Sequence, residues 1–149
     1  MGYKKIRLEF ILVALQFSFL FLLFLHAIFS FKYRLNLLSF IIFCLGIFLG
    51  IWSLFTMSKY STFSIFPSPK KSTKLLKKGP YAYIRHPMYI SILVSLLPFI
   101  FDITSFLLYF ILFIILSLKI NYEEKILSTK IKGYREYKKS TKRMIPWIF

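Results

Sequence analysis

The stretch HPMYISILVSLLPFIFDITSFLLYFILFIILSL, His86 to Leu118, runs for 33 residues with a single formal charge, at Asp102. As one helix it would extend roughly 50 Å at 1.5 Å per residue. That is too long for one crossing of a hydrocarbon layer about 30 Å thick. Pro98 and the cluster Asp102-Ile103-Thr104 interrupt it near its middle, where a helix is broken or restarted. The stretch therefore predicts a tight hairpin of two short helices, about Pro87 to Phe101 and Ser105 to Leu118.

Two further charge-free stretches precede it. Phe10 to Phe31 is 22 residues and Leu35 to Ser58 is 24, each long enough to cross as a helix. The expectation is an all-α membrane protein with about four transmembrane helices, the last two a short hairpin. Residues 1–58 would hold helices 1 and 2, and 59–149 a functional core followed by an interfacial C-terminal helix. Lys4, Lys5 and Arg7 before the first apolar run give it the look of a signal peptide. Its length and the lack of a small-residue cleavage site favour a retained anchor.

Composition agrees. Of 149 residues 58% are hydrophobic and 21% aromatic, more apolar surface than a soluble domain of this size can bury. The formal charge of +16 comes from 21 basic and 5 acidic residues. With four crossings, 19 of the 21 basic residues fall on one side, and the positive-inside rule makes that side, with both termini, cytoplasmic. Attraction to anionic lipid headgroups would follow. Nucleic acid is not expected as the partner of this charge, and no obligate protein partner is inferred.

The five glycines form no phosphate-cradling loop. Gly46 and Gly50 make a GxxxG spacing that lets another helix approach closely. Cys44 is the only cysteine. No metal site is expected, because the two histidines, His26 and His86, fall on opposite sides of the membrane; His26 reads as an interfacial or packed residue.

Chemistry is then confined to two cytoplasmic segments. In the first, Lys77 to Tyr89 reads KKGPYAYIRHPMY. Gly79-Pro80 marks a turn, and Pro87 forces His86 out of helical geometry while suiting the first turn of helix 3. Arg85 and His86 thus stand at a helix N-terminus, where an anion is favoured; a plain helix start with interfacial Arg and Tyr is the other reading. In the second, Lys119 precedes Glu123-Glu124 at the inner end of helix 4. Lys119 and Glu123 share a helix face, and the hairpin returns the glutamates to the level of Arg85-His86. A simple i,i+4 salt bridge at a solvated helix end is the alternative there.

The order G-x-Y-x-x-x-R-H-P-x-Y (Gly79 to Tyr89), an apolar hairpin, Glu123-Glu124, Tyr134 to Tyr137 and Ile145-Pro146 resembles the isoprenylcysteine carboxyl methyltransferase family and its phospholipid methyltransferase relatives. The resemblance covers about Leu75 to Phe149, with helix 2 included. It implies S-adenosylmethionine-dependent methyl transfer at the cytoplasmic face to a lipophilic acceptor entering from the bilayer. By position, Tyr81, His86, Pro87, Met88 and Tyr89 would line the cofactor, Lys74, Leu75 and Leu76 would wall its adenosine side, and Glu123 would contact it from helix 4. Arg85, Lys119, Glu123 and Glu124 would form the catalytic set.

Two positions depart from the family pattern. Lys119 stands where the family has an arginine, keeping the charge but losing the bidentate fork, and Ser91 stands where a glycine is common. Leu127, Ile131, Tyr134 and Tyr137 recur at helical spacing, as in an interfacial lid. Two other readings are a membrane reductase using a nicotinamide cofactor and a non-catalytic protein that binds anionic lipid. The acceptor atom, carboxylate, amine or thiol, is open at this level.

Overall fold

The structure, a computed structural model, describes residues 2–30, 36–60 and 75–144, with side chains from Leu8 onward. Among the described residues three helices are long and apolar enough to cross a membrane. They are α1 (Gly2–Phe29), α2 (Leu37–Tyr60) and α4 (Ile103–Lys130). Helix α3 (Pro87–Leu96) has only 10 residues and passes into a 3₁₀ turn, Leu97–Phe99. A seven-residue helix, α5 (Tyr134–Ser140), lies near the C-terminus.

The hairpin of two equal short helices is therefore corrected to a short helix and a long one. Asp102 is the N-cap of α4: its side chain accepts from the Ser105 amide at 2.7 Å while the Ser105 hydroxyl accepts from the Asp102 amide at 3.0 Å. This reciprocal box starts the helix two residues earlier than predicted. Downstream nothing breaks the helix before Ile131–Gly133, so α4 continues twelve residues past Leu118 to Lys130. Gly133, at φ +80°, then turns the chain into α5. The spacing from Leu127 to Tyr137 is thus split between two helices, because an αL residue sits in the middle of it.

Helix α3 alone rises about 15 Å. The 3₁₀ turn and the extended Ile100 after it rise faster per residue, so this short segment joins the same two levels as its longer neighbours. Two contacts mark those levels. At one, Asp102 meets His26 near the end of α1, with Nε2 2.9 Å from Oδ2, and His26 stacks on Phe101. At the other, His86 at the start of α3 faces Glu123 of α4. The two histidines do lie at opposite ends.

Packing pairs α2 with α3 and α1 with α4, whereas α3 and α4 touch sparsely. The α2–α3 seam is made by small residues. A Cβ on Gly46 would stand 2.5 Å from the Ser95 backbone nitrogen, and one on Gly50 3.1 Å from Ser91 Oγ. Both serines return their hydroxyls to α3 carbonyls, Met88 and Ile92, which leaves no unpaired polar group in the seam. Gly46→Ala is expected to destabilise the protein by about 1–3 kcal/mol, since backbone cannot yield as a side chain would. Thermal unfolding in detergent checks this, with Cys44→Ala, on the exposed side of the same helix, leaving the midpoint unchanged.

The core, Leu23, Leu93, Leu112, Leu116, Ile120 and Met144, lies where α1, α3, α4 and the C-terminal arm meet. Phe10, Phe21, Phe24, Phe48 and Phe55 point outward and are more than half exposed, as side chains do when lipid is the solvent.

Candidate functional site

The segment before α3 is held from both sides. Gly79 takes φ +56° directly against Thr56 of α2, where a Cβ would stand 2.7 Å from Oγ1. The 3₁₀ turn Gly79–Ala82 follows, with Tyr81 buried. His86, at φ −124° and ψ 56°, is the non-helical residue that Pro87 requires. From the other side the C-terminal arm runs parallel to Tyr83–His86. The Arg85 amide donates to the Lys142 carbonyl at 2.8 Å, the His86 amide to the Arg143 carbonyl at 3.1 Å, and the Lys142 amide to the Tyr83 carbonyl at 3.2 Å. Tyr137 adds a hydroxyl bond of 2.6 Å to the Tyr81 carbonyl. The Arg85 and His86 amides, at the helix start where an anion was expected to be favoured, are thus occupied by the chain's own carbonyls.

Glu123 and Glu124 are separated by this architecture. Consecutive residues point about 100° apart on a helix, and here the two carboxylates take different hydrogen-bond partners, with His86 between them, its Nδ1 3.5 Å from Glu123 Oε2 and its Nε2 3.7 Å from Glu124 Oε1. Glu124, 2% exposed, accepts from Arg85 Nε at 2.7 Å through Oε1, while its Oε2 forms ion pairs with Lys138 Nζ at 3.0 Å and Arg143 Nε at 3.3 Å. Arg85 also donates through Nη1 to the carbonyls of Lys138 and Thr141. This cluster ties α4, the α3 start and the C-terminal arm together.

Glu123 faces a cleft bordered by α1, α2, α3 and α4. Its Oε1 accepts from the Tyr89 hydroxyl at 2.5 Å, and its Oε2 lies 3.5 Å from His86 Nδ1. The His86 and Tyr89 rings stack at 5.6 Å, 10° from parallel. Lys119 lies one turn before Glu123 and is 2% exposed. Its ammonium donates to Gln16 Oε1 of α1 at 2.7 Å and sits 5.3 Å from the centre of the Tyr89 ring.

These residues border a cleft of about 350 Å³, within the size range of small-molecule sites. Gln16, Phe17 and Leu20 of α1, Leu54 and Met57 of α2, Tyr81, Arg85, His86, Met88, Tyr89 and Ile92, and Lys119 and Glu123 of α4 line it. Tyr81 Oη and His86 Nε2 are buried without a hydrogen-bond partner among the described residues. Buried polar atoms of this kind ordinarily have one.

Of the residues selected from sequence, Tyr81, Arg85, His86, Met88, Tyr89, Lys119 and Glu123 are brought to the cleft. Pro87 is fully buried beneath it. Glu124 is held in the ion cluster, and Leu75 lies near the Gly133 turn while Leu76 is buried, both off the cleft. Lys74, Ile145 and Pro146 lie outside the described residues. The contribution of α1 was not foreseen; the signal was Gln16, an amide set in the apolar run Phe10 to Phe31.

Burial pushes the Tyr81 hydroxyl up in pKa, reinforced by Tyr137 and Glu123, and pushes Tyr137 up to about 12 against the opposing charge of Arg85. For His86 burial acts to lower the pKa, but Glu123 and Glu124 outweigh it and raise the group above its ordinary 6.5. Arg85, Lys138 and Arg143 on Glu124 and the Tyr89 hydroxyl on Glu123 also belong to that cluster. A raised pKa means that the folded state holds the proton more tightly than the unfolded chain. The stabilisation from charged His86 is expected to be complete below pH 6.5 and to fade as pH climbs through the raised value. His86→Gln should flatten that part of the profile, read as thermal midpoint against pH in detergent.

The profile of the isoprenylcysteine carboxyl methyltransferase (ICMT) family matches residues 37–129. The match takes in α2, the 3₁₀ turn, α3 and nearly all of α4, and so contains His86, Tyr89, Lys119 and Glu123. Like the motif resemblance it takes in helix 2, but it stops before the C-terminal arm. No curated protein and no solved structure matches the chain. A match over this much of the sequence, on a helical bundle whose Arg-His-Pro motif borders the cleft, places the chain in the isoprenylcysteine carboxyl methyltransferase family of membrane methyltransferases.

Proposed function

We propose that the protein transfers a methyl group from S-adenosylmethionine to a lipophilic acceptor that reaches the cleft from the bilayer. The observation that carries this reading is the Glu123 carboxylate on the wall of a largely apolar cleft, next to two buried polar atoms in need of partners. An anion and aromatic faces so placed complement a cation. When bound, S-adenosylmethionine supplies an electrophilic methyl group on a cationic sulfur. Tyr81, His86, Met88, Tyr89 and Glu123 would hold it, with Tyr81 Oη and His86 Nε2 available to its polar groups.

What the chain's own residues contribute is placement and exclusion of water. The stacked His86 and Tyr89 rings are fixed by Glu123, and α1 and α2 close the cleft with Phe17, Leu20, Leu54 and Met57. In-line transfer depends chiefly on holding the acceptor close and aligned. Lys119 supplies a buried positive charge on the α1 side of the cleft, which favours an acceptor with an anionic end such as a carboxylate. We place the basic face, and with it both termini, in the cytoplasm, against anionic headgroups.

The test is binding of isotope-labelled S-adenosylmethionine to the purified protein in detergent, followed by methyl transfer into a total membrane lipid extract. Saturable binding, abolished by His86→Ala and unaffected by Lys139→Ala, is expected. A protein that binds none of the label overturns the reading.

A further inference from the structure

The α1 helix lies outside the region that matches the family profile, yet it supplies the partner of the most deeply buried cation among the described residues. Lys119 is 2% exposed and Gln16 is 6% exposed. A lysine near a membrane boundary ordinarily extends its stem and releases its charge to the interface. Lys119 does not. Its ammonium is retained inside the bundle by Gln16 Oε1 at 2.7 Å, beside the Tyr89 ring. An ammonium has three N–H donors, and Gln16 takes one.

The amide is matched to this task in its chemistry as well as its position. Its oxygen accepts from the ammonium without cancelling the charge, which a carboxylate at the same place would do. An apolar residue would leave the ammonium without an acceptor on the α1 side. Both residues border the cleft, and Tyr89, whose ring Lys119 approaches at 5.3 Å, donates its hydroxyl to Glu123. The cleft therefore carries a positive charge held by Gln16 of α1 and, one turn further along α4, the negative charge of Glu123.

We propose that Gln16 is a positioning residue, acting through Lys119 to aim an uncancelled positive charge at the anionic end of the acceptor, so that α1 sets the site's selectivity for charge. This rests on the functional reading above and assigns α1 a part in it.

The experiment measures direct binding of two probes, an S-prenylcysteine with a free carboxylate and its methyl ester, to the full chain in detergent, alongside binding of S-adenosylmethionine. Wild type is expected to prefer the carboxylate at least about tenfold, the scale of one charge-assisted hydrogen bond. Gln16→Leu and Gln16→Glu should both lose that preference while binding S-adenosylmethionine as wild type does. Gln16→Glu retains a partner for Lys119, so it guards against a folding defect in the leucine variant. Lys119→Met should lose the preference too, and adding Gln16→Leu to it should change nothing more, since one residue acts through the other.

A preference that survives in Gln16→Glu, or a double variant worse than Lys119→Met alone, overturns the proposal. So does a wild type indifferent to the probe's charge. Failure of the methyltransferase reading looks different: S-adenosylmethionine does not bind, while the carboxylate preference still responds to Gln16.

Discussion

Glu124→Ala is expected to destabilise the protein by about 3–5 kcal/mol, the cost of leaving a buried charge without its counter-ion. The orphaned charge would be Arg85, whose side chain is 6% exposed. Lys138 and Arg143 lose their anchor in the same step, one from α5 and one from the arm that pairs with Tyr83–His86. The loss should appear as a lower thermal midpoint in detergent and as faster proteolysis between Gly133 and Arg143. Glu124→Gln should fall between the two, because an amide oxygen can still accept from Arg85 but carries no charge. An unchanged midpoint and an intact arm in Glu124→Ala would show that the arm is held by its backbone bonds and Tyr137 alone.

Glu123→Gln is expected to do the opposite, leaving the fold near wild type and weakening S-adenosylmethionine binding about 10- to 100-fold. Hydrogen bonds to a charged group are worth about 1.5–3 kcal/mol, and the substitution removes the anion while keeping the shape. The fold should tolerate it because Glu123 lies at the cleft, with a side chain 13% exposed, and Tyr89 can donate to an amide oxygen as well. Equilibrium binding in detergent, run beside thermal unfolding of the ligand-free protein, separates the two effects. Equal loss of binding in Glu123→Gln and Glu124→Gln, at equal stability, would contradict the division between the neighbouring carboxylates.

That division shows how far the sequence could be read. Glu123-Glu124 stood out because only five acidic residues exist and two are adjacent. Both were assigned to the site, since adjacency in sequence carries no information about which face of α4 meets which neighbour. The Pro87 and Gly79 positions were legible because they act on their own backbone: a proline restricts the residue before it, and a glycine at φ +56° admits no easy substitute. The length of α4 was not, because the helix runs twelve residues past the apolar stretch into charged sequence that holds no proline or glycine before Gly133, so the end of the apolar run did not mark the end of the helix.

By itself the sequence determined the apolar spans, the close-packing stripe Gly46 and Gly50, and the motif around Arg85-His86-Pro87 with the glutamates that complete it. Each of these is local, a matter of length, backbone restriction or spacing along one helix. Only the tertiary structure decided that Gln16 would meet Lys119, that His26 would meet Asp102, and that the C-terminal arm would occupy the amides of Arg85 and His86. The physical reason is that helices apolar on all sides have no hydrophobic face to announce their packing. In lipid the register between them is chosen by small residues and by the few polar side chains that must find one another, and those partners lie far apart in the chain.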